Sequence, residues 1–432
     1  SKGATQELAI ACGRGDVDAA RHGLNLAHTI NTLTSCLYAL ILAAAGLAIG
    51  LRAEGPWSMV WAVGLTVIGA LAVVQRHVTF QVTILRAKQA FGVTARLQLL
   101  EATLTLVVSA AAIWLAGLWG LFSATLCVLL ASWAFVRRTG AEPLHMAWDW
   151  PEIRRLIALG GPILLAGVAS SLFRSLDKLM ILGYLADREY QLGCYSVALM
   201  VGTQLYGLGN MISTVMGPRY CELLGRTGSV AEVARLAARA SQLQAALLSL
   251  PAALAIVVAP PVLLLLLPDY HEGLAPLVWL IPGVMAVAMA LPCSQCLVAV
   301  GRGQCVLVVL LTCAALAALG NHQVLSNGGG LTAVAQVMTA ANIGYLVILA
   351  ALSLWPYLPS AERAHYVVLI ASTLGGCLLL SAVAHANAAA AIDVPTACWA
   401  ALVLFGIWLI GMLLGWRYGG WSAACRHGRP AR

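Results

Sequence analysis

The sequence predicts an all-α, polytopic membrane protein, and three observations predict it. Of 432 residues, 61% are hydrophobic and only 10% are charged, against about 25% charged in an ordinary soluble domain. Runs free of Asp, Glu, Lys and Arg extend over residues 102–136 and 303–361, well beyond the ~18 residues that mark a membrane-spanning helix. The alternating pattern of a lipid-embedded β-barrel is absent from the sequence.

About twelve transmembrane helices are expected: 30–51, 57–75, 97–116, 118–136, 160–184, 192–215, 241–267, 276–300, 305–323, 331–354, 365–385 and 396–416. The first long run divides at Gly117-Leu118-Trp119-Gly120, and the second at "GNHQVLSNGGG" (320–330). Assigning the connections alternately to two sides puts 21 of the 25 Lys and Arg on one side. Only Arg52 and Arg188 fall on the other, and Arg174 and Lys178 lie within a span. Basic loops stay in the cytoplasm, so both termini are expected there. The net charge of +8 thus reflects orientation in the membrane and gives no reason to expect nucleic acid as a partner.

The layout has five parts: a four-span N-terminal lobe (1–136), a cytoplasmic inter-lobe linker (137–159), a six-helix C-terminal lobe (160–354), two additional helices (365–416) and a basic cytoplasmic tail (417–432). The linker "RRTGAEPLHMAWDWPEIRR" (137–155) is basic at both ends, and Gly160-Gly161-Pro162 is expected to open the next helix. Two internal similarities suggest a duplicated bundle. "GRGDVDAARHGLNLAHTI" (13–30) resembles "GRTGSVAEVARLAARASQLQ" (225–244), with Gly13 and Gly225 212 apart. "GLWGLFSATLCVLLASW" (117–133) resembles "GGGLTAVAQVMTAANIGY" (328–345), with Gly120 and Gly330 210 apart. Keeping that offset, the counterpart of the second lobe's opening lies ~55 residues before Ser1. The expectation is therefore an incomplete N-lobe, two spans short of a fourteen-span protein whose halves are related by an axis along the membrane normal; the alternative is a true twelve-span chain whose internal similarity is accidental.

Charged groups inside a span are the main functional signal. "SLFRSLDKLMILGYLA" (171–186) carries Arg174, Asp177 and Lys178 in an otherwise apolar helix. Arg174 lies about twelve residues past Pro162, or ~18 Å along a helix. Spacings of three and four place the three side chains on one face. Two readings follow. An Arg–Asp ion pair could serve packing alone, with Lys178 snorkelling to the headgroups. Alternatively the face lines a wet cavity, where Arg174 and Lys178 meet an anion such as a phosphate and Asp177 takes up H⁺ or Na⁺. On the next span Tyr195, Gln204, Tyr206 and Asn210 either line the same cleft or bond neighbouring helices.

Other features weigh less. Asn25, His28 and Asn31 read first as an interfacial face, and His322 and His385 have no neighbour at metal-ligand spacing. Most of the twelve cysteines lie within spans, where cysteine acts as a small hydrophobe. "PCSQC" (292–296) is a formal C-x-x-C in an apolar helix, so neither a metal nor a cofactor is expected. Pro251, Pro260, Pro261, Pro282 and Pro292 bend two adjacent spans, either as moving hinges or as static kinks. Outside loops are short, and Glu54, Asp187, Glu189, Asp269, Glu272 and Asp393 form no catalytic pair, which disfavours a membrane-embedded polymerase or glycosyltransferase. A cationic-drug or metabolite antiporter would favour acids at depth, where Asp177 stands almost alone, with Glu101 near the cytoplasmic end.

"LIALGGPILLAGVASSLFRSLDKLMILGYL" (156–185), "LGCYSVALMVGTQLYGLGNMISTVMGPRY" (192–220) and "ILRAKQAF" (84–91) resemble bacterial polysaccharide transporters. These are the O-antigen-type lipid-linked oligosaccharide flippases of the multidrug/oligosaccharidyl-lipid/polysaccharide (MOP) superfamily. Gly160, Pro162, Asp177, Gly193, Tyr195 and Pro218 carry the resemblance. It implies two six-helix bundles forming a V and alternating access driven by H⁺ or Na⁺. It also implies an undecaprenyl-pyrophosphate-linked glycan as substrate in the bacterial cytoplasmic (inner) membrane, beside membrane lipids and other polysaccharide-assembly proteins. Arg174 and Lys178 would attract the pyrophosphate, Asp177 would couple the ion, and Gln204, Tyr206 and Asn210 would contact sugars.

Overall fold

The computed structural model describes residues 17–52, 56–87, 90–139, 145–185 and 187–390. Among them the chain is helical throughout: α1 (Val17–Arg52), α2 (Pro56–Ala87), α3 (Phe91–Arg138), α4 (Trp150–Phe173), α5 (Leu176–Tyr184), α6 (Arg188–Thr227), α7 (Val230–Val257), α8 (Ala259–Leu266), α9 (Leu274–Ala299), α10 (Gly303–Ser326), α11 (Leu331–Ser353) and α12 (Ser360–Ala390), with a 3₁₀ turn at Pro268–Gly273. Nine segments among the described residues are long and apolar enough to cross a membrane. The expected span 396–416 and the tail 417–432 lie outside the described residues. The chain divides into two units, Ser1–Gly161 and Pro162–Arg432.

In the first unit α3 contains two helices, joined where Gly117 takes φ 54° and ψ −129°. Glycine alone adopts such a conformation without strain. A Cβ on Gly120 would overlap the Ala112 carbonyl oxygen, so the returning helix passes close against the first. The "GLWG" turn expected from the sequence therefore has two separate glycine requirements. The first half of α3 turns apolar side chains outward, with Leu106 74% and Trp114 87% exposed, as suits a helix solvated by lipid.

The linker is not wholly irregular. α4 begins at Trp150 rather than at Gly160, because Pro151 and Glu152 are good first-turn residues and Ile153 packs on Leu26 with Ile30 and Ala147 around it. Residues 145–149 run along α1. The Asn25 Oδ1 accepts from the His145 N–H at 3.1 Å, and the Thr29 hydroxyl both accepts from the Ala147 N–H (3.1 Å) and donates to its carbonyl (3.0 Å). Asn25, which reads from sequence as an interfacial residue, holds the linker backbone.

The second unit is built around α9, which packs on α6, α7, α11 and α12. Close approach depends on small residues: a Cβ on Gly209 of α6 would stand 2.6 Å from the Ala288 Cβ, and one on Gly283 of α9 would stand 2.7 Å from the Thr339 Oγ1. The prolines of α9 explain its buried hydroxyl partners. Pro282 cannot donate to the Val278 carbonyl, and the Ser381 hydroxyl donates to it instead at 2.9 Å. Carbonyls three residues before a proline are treated likewise: Thr339 donates to Trp279 O (2.6 Å), and Ser241 to Met289 O (2.8 Å). Ser381, Thr339 and Ser241 are all buried. Of the two readings of these prolines, the capped carbonyls favour static kinks in α9. Ser381→Ala, which strands a buried carbonyl, is expected to cost about 1–3 kcal/mol and to lower the thermal unfolding midpoint in detergent.

Two further expectations are corrected. The predicted span 241–267 is two helices, because Pro260 and Pro261 cannot donate back into α7 and instead start α8. The turn predicted over 320–330 is shorter, since α10 continues to Ser326. The internal offset recurs in the helix boundaries. Val17 and Val230 lie 213 apart, while Phe91 and Gly303 lie 212 apart. The segments Pro56–Ala87 and Pro268–Ala299 match at both ends with an offset of 212.

Candidate functional site

The charged segment is not one helix. α4 ends at Phe173 and α5 begins at Leu176. Between them Arg174 N–H still bonds the Ser170 carbonyl (3.1 Å), whereas Ser175 N–H closes a tighter turn on Leu172 (3.0 Å), with Ser175 at φ −111° and ψ −2°. Neither glycine nor proline stands at the break. Serines 170, 171 and 175 surround it, and such side chains compete for helical backbone groups, as Ser171 does by donating to Gly167 O at 3.2 Å. Phe173, buried against the Tyr345 ring at 6.4 Å between centroids, anchors the end of α4.

The break separates the three charges that the sequence places on one face. Asp177 turns inward and is 2% exposed. It sits in the first turn of α5, where a helix start favours negative charge, and its Oδ1 accepts the Lys178 N–H at 2.9 Å. The fully buried Tyr195 lies beside it. Arg174 turns outward. Its Nη1 donates to the Tyr206 hydroxyl at 2.9 Å, and the guanidinium lies 5.2 Å from the Tyr206 ring centroid. No Arg174–Asp177 ion pair forms, so of the two readings that the sequence left open the self-neutralising pair is the one the structure does not support. Lys178 is half-buried and makes no ion pair among the described residues.

On α6 the structure sorts the predicted polar residues. Asn210 follows Tyr206 by one turn and is exposed on a neighbouring part of the surface. Gln204 is also exposed, but a two-residue step rotates it by about 200° from Tyr206, so the two do not share a face. α6 is 40 residues long, or ~60 Å, and extends beyond the ~30 Å hydrocarbon thickness. Its N-terminal end is tied to the 3₁₀ turn, where Tyr190 donates to Asp269 O (2.9 Å) and Gln191 to Glu272 Oε2 (2.7 Å). His322, isolated in sequence, meets the Tyr184 hydroxyl at 2.7 Å through Nδ1. That contact joins α5 to α10 across 138 positions and has no local sequence signal.

A buried carboxyl and a stacked surface guanidinium, one turn apart at a helix break, can bind a cation or proton and an anion separately. A family model described as polysaccharide biosynthesis protein matches residues 14–276, more than half of the chain. The chain belongs to this family. It is also a member of the MOP superfamily, and the polysaccharide biosynthesis model covers α1 to α8 entire, with the whole Arg174–Asn210 site inside it.

Solved structures share the fold of this polysaccharide biosynthesis family member at low identity. A Vibrio cholerae MATE transporter, VcmN, in mutant form, is 17% identical at a TM-score of 0.68, over 84% of each chain. A MOP superfamily transporter from Pyrococcus furiosus, whose binding pocket is described as having reverse polarity, is 16% identical with a TM-score of 0.64, over 85% of this chain and 83% of its own. A multidrug resistance MATE family transporter in an outward-facing conformation is 15% identical with a TM-score of 0.65, again over 85% and 83%. No curated protein matches the chain.

Proposed function

We propose that this MOP superfamily transporter is a flippase that moves an undecaprenyl-pyrophosphate-linked oligosaccharide across the bacterial cytoplasmic membrane by ion-coupled alternating access, with both termini cytoplasmic. The observation that carries the reading is the divided charge at the α4–α5 break, in a chain of the polysaccharide biosynthesis family. Arg174, held by Tyr206, offers a fixed cation to the pyrophosphate. Lys178 adds a second positive charge, and Asn210 and Gln204 offer hydrogen bonds to sugar hydroxyls. Asp177, one turn away and shielded, takes up H⁺ or Na⁺ and couples the gradient to the movement of the 160–354 lobe. The lipid tail stays in the bilayer, so only the headgroup needs a polar route.

The MATE-like fold and the deep acid Asp177 also suit a cation-coupled drug or metabolite antiporter, and one experiment separates the two. The protein is expressed in a flippase-deficient host, and surface glycan and drug resistance are both measured. Restored glycan export is expected. Drug resistance without export would replace the flippase reading by the antiporter. Arg174→Ala should lower export roughly ten- to a hundredfold, the equivalent of a lost charged hydrogen bond of about 1.5–3 kcal/mol, at unchanged membrane abundance.

A further inference from the structure

We propose a divalent-cation site where the linker meets α1, formed by His22, Asp149 and Glu152 and suited to Zn²⁺ or Mn²⁺. The ligand atoms of these three side chains all lie within 4.8 Å of one another, and His22 Nε2 is 2.8 Å from Glu152 Oε2. They come from two separate elements, His22 from the start of α1 and the two acids from the start of α4.

Three observations distinguish this group from a chance surface cluster. The Glu152 Oε2 is screened from solvent yet forms no hydrogen bond, even with the imidazole nitrogen beside it. At that separation the two groups form an ion pair that lacks hydrogen-bond geometry. Asp149 and Glu152 also occupy the positions of a helix-capping pair, the Asp149 carbonyl receiving the first helical bond from the Ile153 N–H at 2.9 Å. Among the described residues neither side chain bonds the first-turn amides of α4, although capping is the ordinary use of acids there. Finally, Asn25 and Thr29 fasten residues 145–147 to α1, so the acids are delivered to His22 by an ordered backbone.

The donor set selects the metal class. One imidazole and two carboxylates suit Zn²⁺ or Mn²⁺, whereas Mg²⁺ and Ca²⁺ prefer all-oxygen ligands. Ligands at ~2.0–2.2 Å from zinc stand about 3.3 Å apart in a tetrahedron, so small side-chain movements close the group around an ion. The half-exposed His22 and Glu152 side chains, 50% and 44% exposed, leave room for a water as the fourth ligand. A bound ion would cross-link α1 to the helix that leads from the first unit into the second, without touching Arg174 or Asp177.

The test uses untagged full-length protein in nanodiscs, stripped with chelator, its accessible thiols, Cys36 and Cys127 among the described residues, blocked by alkylation. Zn²⁺ binding is measured by competition with a chromophoric chelator, and thermal unfolding is followed with and without Zn²⁺, Mn²⁺ or Mg²⁺. One Zn²⁺ per chain and a raised unfolding midpoint with Zn²⁺ or Mn²⁺ are expected. His22→Ala, Asp149→Asn and Glu152→Gln should each weaken Zn²⁺ binding at least tenfold, and Arg174→Ala should leave it unchanged. Binding that survives all three substitutions, no Zn²⁺ binding by the parent protein, or equal stabilisation by Mg²⁺ overturns the proposal. Should one variant fail to fold, the other two decide the outcome, because each removes a different ligand.

Discussion

Asp177→Asn is expected to reduce gradient-driven export at least tenfold, to near background, while the protein reaches the membrane in normal amount. The substitution is nearly isosteric, and the Asn oxygen can keep the 2.9 Å bond from the Lys178 N–H, so packing around α5 should survive. What disappears is the capacity to gain and lose a proton or a cation. An ionised carboxylate that is 2% exposed, with no ion pair among the described residues, costs several kcal/mol. Binding a proton or sodium ion relieves that cost, and this difference between loaded and empty states is what a coupled transporter can use to bias one conformation over another. The check is export under an imposed gradient, alongside downhill exchange without one. Loss of the first with retention of the second assigns Asp177 to coupling, and full gradient-driven export by the variant removes it from the mechanism. Tyr195→Phe, which removes the hydroxyl beside Asp177 but keeps the buried ring and the carboxyl, should have a smaller effect than Asp177→Asn.

Gly283→Val should largely abolish folded protein. A Cβ there would stand 2.7 Å from Thr339 Oγ1, 2.8 Å from Thr339 Cα and 3.2 Å from Asn342 Nδ2. Thr339 cannot simply rotate away, because its hydroxyl donates to the Trp279 carbonyl at 2.6 Å, and its Cα is part of α11. Overpacking costs about 1–3 kcal/mol, and stranding the buried carbonyl adds about 1–3 kcal/mol. Together these approach the ~5–15 kcal/mol that holds a typical protein folded. Membrane abundance and a monodisperse peak on size-exclusion chromatography in detergent provide the measurement. Gly375→Ala on α12, where a Cβ meets nothing within 4 Å, is the matched control and should behave as the parent. A folded Gly283→Val protein would mean that α9 and α11 separate more easily than their packing suggests.

Much of the architecture is legible because the bilayer imposes it. Helix lengths follow from the thickness of the hydrocarbon, and every backbone group in lipid must be satisfied within a helix. Breaks follow wherever a residue cannot comply. Gly117 and the Pro260–Pro261 pair show this: the first break is visible as a Gly-rich turn, and the second lies within a run whose continuous hydropathy hides it. The break at Arg174–Ser175 is hidden for another reason. Serines favour non-helical bonding only weakly, so they mark a helix end only when tertiary packing, here Phe173 on Tyr345, holds the competing geometry.

The composition, the uncharged runs and the placement of basic residues by themselves determined a helical membrane protein with an internal offset near 212 residues, and they singled out Arg174, Asp177 and Lys178. These are properties of local transfer energy and spacing, which a one-dimensional string contains. Only the tertiary structure decided that Asp177 faces inward beside Tyr195 while Arg174 faces outward onto Tyr206, that Gln204 stands apart from them, and that His22 meets Asp149 and Glu152. Each of those outcomes depends on a rotation about a helix axis or on a contact more than a hundred residues away. Hydropathy cannot register either, since it records how costly a group is to bury and not which neighbour shares that cost.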